Sequence, residues 1–154
     1  MAIDMNIYEE LGSVFSEVLV QIVSTVSSIA IAPSSCESSY DCEELTGVMA
    51  LNSKEGGVLM ISGNKTGMCR FCSMMLGVPE NEVSEEDMVD ALCEVVNMTA
   101  GSAKLRLVGT DFMFTYSSPF VIKGGMSVTV KEKTRVITKL LTGNELTLKL
   151  IMVY

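Results

Sequence analysis

The segment that begins at Ser84 constrains the fold most, because it predicts a helix that is apolar on nearly every side. Ser84, Glu85, Glu86 and Asp87 form a typical helix start, with a capping hydroxyl and carboxylates at the positive end of the helix dipole. Helical residues then continue to about Ala103. The apolar positions are Met88, Val89, Ala91, Leu92, Cys93, Val95, Val96, Met98, Ala100 and Ala103. Such a helix must be largely buried, so the chain has to supply layers around it.

Two other segments predict helices. Over residues 6–26, apolar side chains recur at steps of three and four residues, which is the period of an amphipathic helix. Asn64 can cap a further helix that ends near Leu76, because Gly77 is a typical C-terminal stop and Pro79 prevents continuation.

Runs of β-forming residues predict two hairpins and several short strands. The hairpins join 45–52 to 58–62 and 135–141 to 145–154 through glycine-containing connections, and alternate residues of the last strand share one face. That face contains Leu146, Leu148, Leu150 and Met152. Shorter strands are expected at 29–32, 105–107, 111–116, 120–122 and 126–130, with a serine-rich loop at 33–41. The prediction is one α/β (α+β) domain over residues 1–154, with a mixed, largely antiparallel sheet covered by long helices.

Charge and composition exclude several functions. The formal net charge is -8 without any Lys/Arg cluster, which argues against nucleic acid and anionic membranes as partners. The uncharged run at 18–36 is interrupted by Gln21, Pro33 and six Ser or Thr residues, and Asp4 makes the start acidic. We therefore expect neither a membrane span nor a signal peptide, and we expect a cytoplasmic protein. Because the chain has no His, Ser-His and His-zinc catalysis are also excluded.

The five cysteines are an odd set that suits reduced thiols in a cytosol. Cys69 and Cys72 have metal or redox spacing, but no second CxxC is present. We interpret them as small apolar residues of a buried helix, and a structural zinc shared with Cys36 and Cys42 is the alternative. No metal and no cofactor of its own is predicted for the chain.

One narrow polar stripe interrupts the apolar surface of the Ser84 helix. Its members, at steps of three and four residues, are Asp87, Asp90, Glu94, Asn97, Gly101 and Lys104. A solvated face would explain most such patterns. Asn97 is a weak helix former, however, and Gly101 costs roughly 1 kcal/mol relative to Ala in a helix interior. These two choices favour a functional stripe.

The stretch SEEDMVDALCEVVNMTAG, with its Glu94, Asn97 and Gly101 core, resembles the CheC/CheX/FliY family of chemotaxis phosphatases. The MMLGVPENEV turn, the SSPFVIKG segment and the closing hairpin are similar to its single-site CheX branch. CheC-type members usually carry a second motif, but the first helix has Glu10 and Glu17 without an Asn at the required place. The resemblance implies one site per chain, with a structural or dimer-supporting first helix.

The resemblance also implies a partner and a mechanism. The partner is a phosphorylated CheY-like response regulator, which brings its own Mg²⁺ and an active-site Lys. Asn97 would orient the attacking water and Glu94 would pair with that Lys, while Asp87, Asp90, Gly101 and Lys104 would bind the partner. A non-catalytic regulator-binding or flagellar-switch-like assembly module is the alternative.

Homodimerisation is a further implication of the resemblance, because CheX-like proteins pair through sheet edges. The apolar C-terminal strand that ends at Tyr154 is expected to be such an edge.

Overall fold

A computed structural model describes residues 5–35 and 40–154, so Asp4 and Cys36 lie outside the described residues. Three helices are present: α1 (Met5–Ser27), α2 (Lys65–Leu76) and α3 (Glu85–Arg106). The strands are β1 (Ala32–Ser35), β2 (Asp41–Cys42), β3 (Leu45–Asn52), β4 (Gly57–Gly63), β5 (Thr115–Tyr116), β6 (Phe120–Lys123), β7 (Met126–Ser127), β8 (Val136–Thr142) and β9 (Thr147–Val153). A short 3₁₀ turn at Glu80–Glu82 leads from α2 towards α3.

The main sheet is antiparallel throughout its described pairings. Its strand order is β1-β8-β9-β4-β3, and β5 and β6 both pair with the outer side of β3. Strands β2 and β7 form a separate two-stranded sheet. Both predicted hairpins, β3–β4 and β8–β9, are confirmed by their continuous registers.

The C-terminal strand is not an edge, and that prediction is wrong. Strand β9 lies between β8 and β4, with Val153 opposite Val136 on one side and opposite Val58 on the other. A local apolar pattern cannot reveal this, because burial on both sides depends on a partner about ninety residues away in sequence. Among the described strands, the open edges are β1 at one end of the sheet and β5 and β6 at the other.

All three helices pack on the same face of the main sheet. The alternating residues of β9, Leu148, Leu150 and Met152, enter this helix-side core as their shared face predicts. On the other face, Val48, Met60 and Ile151 form a smaller cluster with Cys42 of β2. The observed architecture confirms the predicted α+β class, and none of the helices in residues 5–35 and 40–154 could cross a membrane.

The helix ends follow the capping signals. The Asn64 side chain accepts a hydrogen bond from the Gly67 backbone N–H (2.7 Å), and Gly77 ends α2 with φ 69°, a left-handed conformation that favours glycine. At the start of α3, the Asp87 N–H donates to the Ser84 hydroxyl (3.0 Å) and the Ser84 N–H donates to the Asp87 carboxylate (2.8 Å). This reciprocal pair is the capping box that the sequence predicts.

Several short strands differ from their predictions. Residues 105–107 belong to the end of α3 and its cap, where the Leu107 N–H donates to the carbonyl oxygen of Ala103 (3.1 Å). The segments at 111–116 and 126–130 shorten to β5 and β7: residues 111–112 form a turn, and residues 113–114 and 128–130 have no regular secondary structure. Strand β1 begins at Ala32, the last residue of the predicted strand, and continues to Ser35 in the predicted loop. Pro33 is tolerated because β1 is an edge strand.

Candidate functional site

Helix α3 is held firmly against the sheet. Its buried residues, Leu92, Val95, Val96 and Ala100 among them, pack into the helix-side core. Gly47 of β3 lies directly beneath, and a Cβ at that position would come within 2.6 Å of Val96 Cγ2. The absence of a side chain at Gly47 therefore lets the helix approach the strand closely, which fixes the direction in which the rest of α3 points.

The polar stripe of α3 faces outward. Asp90, Glu94 and Asn97 are exposed, and Asp87, Gly101 and Lys104 are partly buried. Across the described residues, Glu94 and Asn97 have no side-chain hydrogen bond or ion pair, so both remain available to another molecule. Their spacing of three residues places them on neighbouring turns of one helix face.

At the amino-terminal end of the stripe, the side chains form contacts that stabilise the start of α3. The Ser84 backbone N–H and hydroxyl lower the pKa of the Asp87 carboxyl, which acts in the capping box. Glu85 beside it forms two ion pairs, with Lys65 of α2 and Lys123 of β6, each at 2.8 Å. These two cations lower the pKa of Glu85 to about 2 and connect the start of α3 to two other elements.

Tyr116 of β5 lies beside the carboxyl-terminal end of the stripe. The Lys104 ammonium is 5.6 Å from the centroid of its ring, within the range of a cation–π contact. The Tyr116 hydroxyl is 3.4 Å from the position that a Cβ on Gly101 would occupy. The sequence analysis missed Tyr116, since only the pairing of β5 with β3 brings it to α3.

Among the described cysteines, Cys42 does not lie with Cys69 and Cys72, and Cys36 of the alternative zinc site lies outside the described residues. Cys42 belongs to the cluster on the far face of the sheet, whereas Cys72 is in the helix-side core. Burial raises the pKa of the Cys72 and Cys93 thiols, which lowers their reactivity. In residues 5–35 and 40–154, no cluster of His, Cys, Asp or Glu could hold a metal ion.

A cleft of about 430 Å³ lies away from the polar stripe. It is formed between the amino-terminal half of α1 and the turns that follow α3, and none of the stripe residues lines it. The stripe itself is an exposed surface, a shape that suits docking to another macromolecule rather than enclosure of a small molecule.

The fold is that of CheX and CheC-like proteins. CheX from Vibrio vulnificus superposes with a TM-score of 0.81 at 21% identity, covering 93% of this chain and 97% of its own. A CheC-like superfamily protein from Shewanella sp. PV-4 gives 0.80 at 19% identity, covering 93% and 96%. CheX in the CheX–CheY–BeF3–Mg²⁺ complex from Borrelia burgdorferi gives 0.73 at 16% identity, covering 95% and 97%.

The sequence identifies the family within this fold. The family model described as "Chemotaxis phosphatase CheX" matches residues 45–140, more than half of the chain. Among curated proteins, none matches the sequence significantly. The chain belongs to the CheX family, as the resemblance of the α3 motif predicts.

Proposed function

We propose that this chain accelerates hydrolysis of the aspartyl phosphate of a CheY-like response regulator. The observation that carries the proposal is the exposed Glu94 and Asn97 pair, which has no partner in the described residues, on a helix that is otherwise largely buried. An α3 that served packing alone would have no need of an Asn and a Gly in its interior. Membership of the CheX family supports the same activity.

Asn97 would position the water that attacks phosphorus. Its amide offers both a donor NH₂ and an acceptor oxygen, so it can hold one water from two directions. Because an amide does not ionise at neutral pH, its contribution would come from orientation rather than from proton transfer. Phosphoryl transfer depends mainly on positioning and charge stabilisation, so this contribution is sufficient for a helper protein.

Glu94 would hold α3 in the partner's active site. One turn from Asn97, its carboxylate can pair with the active-site Lys of the response regulator through a charge-assisted hydrogen bond. Mg²⁺ would come with the regulator, as it accompanies CheY and BeF3 in the Borrelia burgdorferi complex, and this chain would need no cofactor of its own. Reduced cysteines suit a cytoplasmic location for this encounter.

Asp90, Gly101 and Lys104 would complete the partner-binding face. Asp90 is exposed one turn before Glu94. Gly101 leaves the helix backbone accessible one turn beyond Asn97, which would let the partner approach closely. Asp87 would contribute at the margin, because its carboxylate is already engaged by the cap of α3.

The direct test is to incubate the protein with a phosphorylated CheY-like receiver and follow loss of phosphate. We expect faster dephosphorylation than by the receiver alone. Glu94→Ala should weaken the complex by about 1.5–3 kcal/mol, because a charge-assisted contact is lost, and should leave the fold intact because Glu94 is exposed. Binding without faster hydrolysis would instead support the regulator-binding or assembly module.

A further inference from the structure

Two neighbouring cations at the end of α3 have different surroundings. Arg106 is tied to α1, where its guanidinium contacts the Glu17 carboxylate at 3.0 Å and the Gln21 amide oxygen at 2.9 Å. Lys104 enters none of the five ion pairs of the described residues. No acidic residue lies three or four positions from it on the helix, and its ammonium is instead over the Tyr116 ring.

Tyr116 is a rigid support for this ammonium. Strand β5 pairs Tyr116 with Leu51, and the next residue, Ser117, exchanges two hydrogen bonds of 3.0 Å with the Ala50 backbone. The Tyr116 ring also lies 6.1 Å from that of Phe114, which is buried and stacks on Phe15. The ring is therefore held from its backbone and from the core, although it is 37% exposed.

The stripe consequently has opposite charges at its two ends. Asp90 and Glu94 lie towards the amino-terminal end, uncharged Asn97 and Gly101 follow, and Lys104 ends the stripe about two helical turns, or roughly 10 Å, beyond Asn97. A partner that docks with a cation at Glu94 would meet a cation of this chain at Lys104. Complementarity then requires an anionic group on the partner at that end.

We propose that Tyr116 is a positioning residue that presents the Lys104 ammonium to a carboxylate on the surface of the partner receiver. The inference rests on the proposed function, because the receiver is the partner. A carboxylate is favoured over the phosphoryl group because Lys104 lies two helical turns, roughly 10 Å along α3, beyond Asn97, the residue that would face the phosphoryl group. The contact would fix how the receiver is oriented along α3.

The test measures affinity and turnover with a CheY-like receiver, both free and carrying BeF3 and Mg²⁺. Lys104→Met should weaken binding of both forms equally, by roughly 2- to 5-fold, and leave kcat unchanged. The loss should shrink in about 0.5 M salt, because the contact is exposed. Lys131→Met, which removes the same charge from the segment after β7, is the matched control and should not alter affinity.

A cycle with Tyr116→Leu separates positioning from a general structural role. Tyr116→Leu should reproduce the loss of affinity seen with Lys104→Met. In the Lys104→Met background, Tyr116→Leu should have no further effect on affinity. Tyr116→Phe, which keeps the ring, should retain the original affinity. Additive effects, or no effect of Tyr116→Leu, would overturn the proposal. A loss confined to the BeF3 form would show that Lys104 contacts the phosphoryl group instead, and would also overturn it.

Failure of this inference differs from failure of the proposed function. Normal phosphatase activity with unchanged affinities of the Lys104 and Tyr116 variants overturns the inference alone. Binding without hydrolysis overturns the phosphatase activity alone, and the affinities still decide the role of Tyr116. A chain that binds no CheY-like receiver overturns both.

Discussion

Asn97 is an exposed amide whose chemical repertoire is limited to hydrogen bonding. We expect Asn97→Ala to lower phosphatase activity by roughly 10²-fold or more, with a smaller change in partner affinity, because water positioning is lost while the docking surface remains. Single-turnover dephosphorylation and a binding titration measure the two effects separately. Ser102→Ala, an exposed polar position of α3 outside the stripe, is the matched control. Full activity of Asn97→Ala would contradict the catalytic assignment.

Gly101 offers a second test at the residue scale, because its surroundings inside the protein do not require glycine. A Cβ there would meet only the Tyr116 hydroxyl, at 3.4 Å, which is an ordinary contact. Gly101→Ala should therefore raise the free energy of unfolding by up to about 1 kcal/mol while weakening binding to the receiver. Chemical denaturation and a binding titration measure these effects.

Gly47→Ala is the control for this substitution. Its Cβ would overlap Val96, so we expect it to destabilise the protein. A Gly101→Ala variant that is more stable and binds as well as the original would show that the bare backbone has no role in docking.

At the scale of elements, Glu85 connects the start of α3 to α2 and β6. Lys123 and Lys65 lower its pKa from 4.5 to about 2, so its contribution to stability is present above pH 4.5 and is lost as the pH falls towards 2. Glu85→Gln should lower the Tm at neutral pH. The difference in Tm between this variant and the original protein should shrink steadily as the pH falls from 4.5 towards 2. Thermal unfolding at several pH values measures this.

Salt provides the control for the Glu85 prediction. Because Glu85 is exposed, the difference in Tm between the original protein and the Glu85→Gln variant should also decrease at high ionic strength. A difference that is constant from neutral pH to pH 3 would show that the two ion pairs do not stabilise the position of α3.

At the scale of the whole molecule, we propose a homodimer that pairs through one of the open edges rather than through β9. Strand β9 has both sides occupied, which leaves β1 and the β5–β6 side available among the described strands. Light scattering should give twice the mass of one chain at micromolar concentration. A monomer mass would contradict the proposal, and proline substitutions in β6 would distinguish the two edges, because they remove backbone donors there.

The sequence by itself determined the elements whose signals are local. The Asn64 and Ser84 caps and the Gly77 stop depend on interactions within a few residues, and each hairpin joins two segments that are neighbours in the sequence; the structure confirms them. The exposure of Glu94 and Asn97 also followed from periodicity, because α3 has one polar side.

Only the tertiary structure determined which elements are neighbours in space. Strand β9 became central through pairing with β4, residues 105–107 stayed with α3 although their sequence suggested a strand, and Tyr116 reached Lys104 through the pairing of β5 with β3. The first and last of these contacts join segments distant in sequence, whose free energy comes from burial and pairing in three dimensions. A local sequence pattern does not identify such distant partners. The polar stripe of α3 could therefore be predicted from the sequence, and its contact with Tyr116 could not.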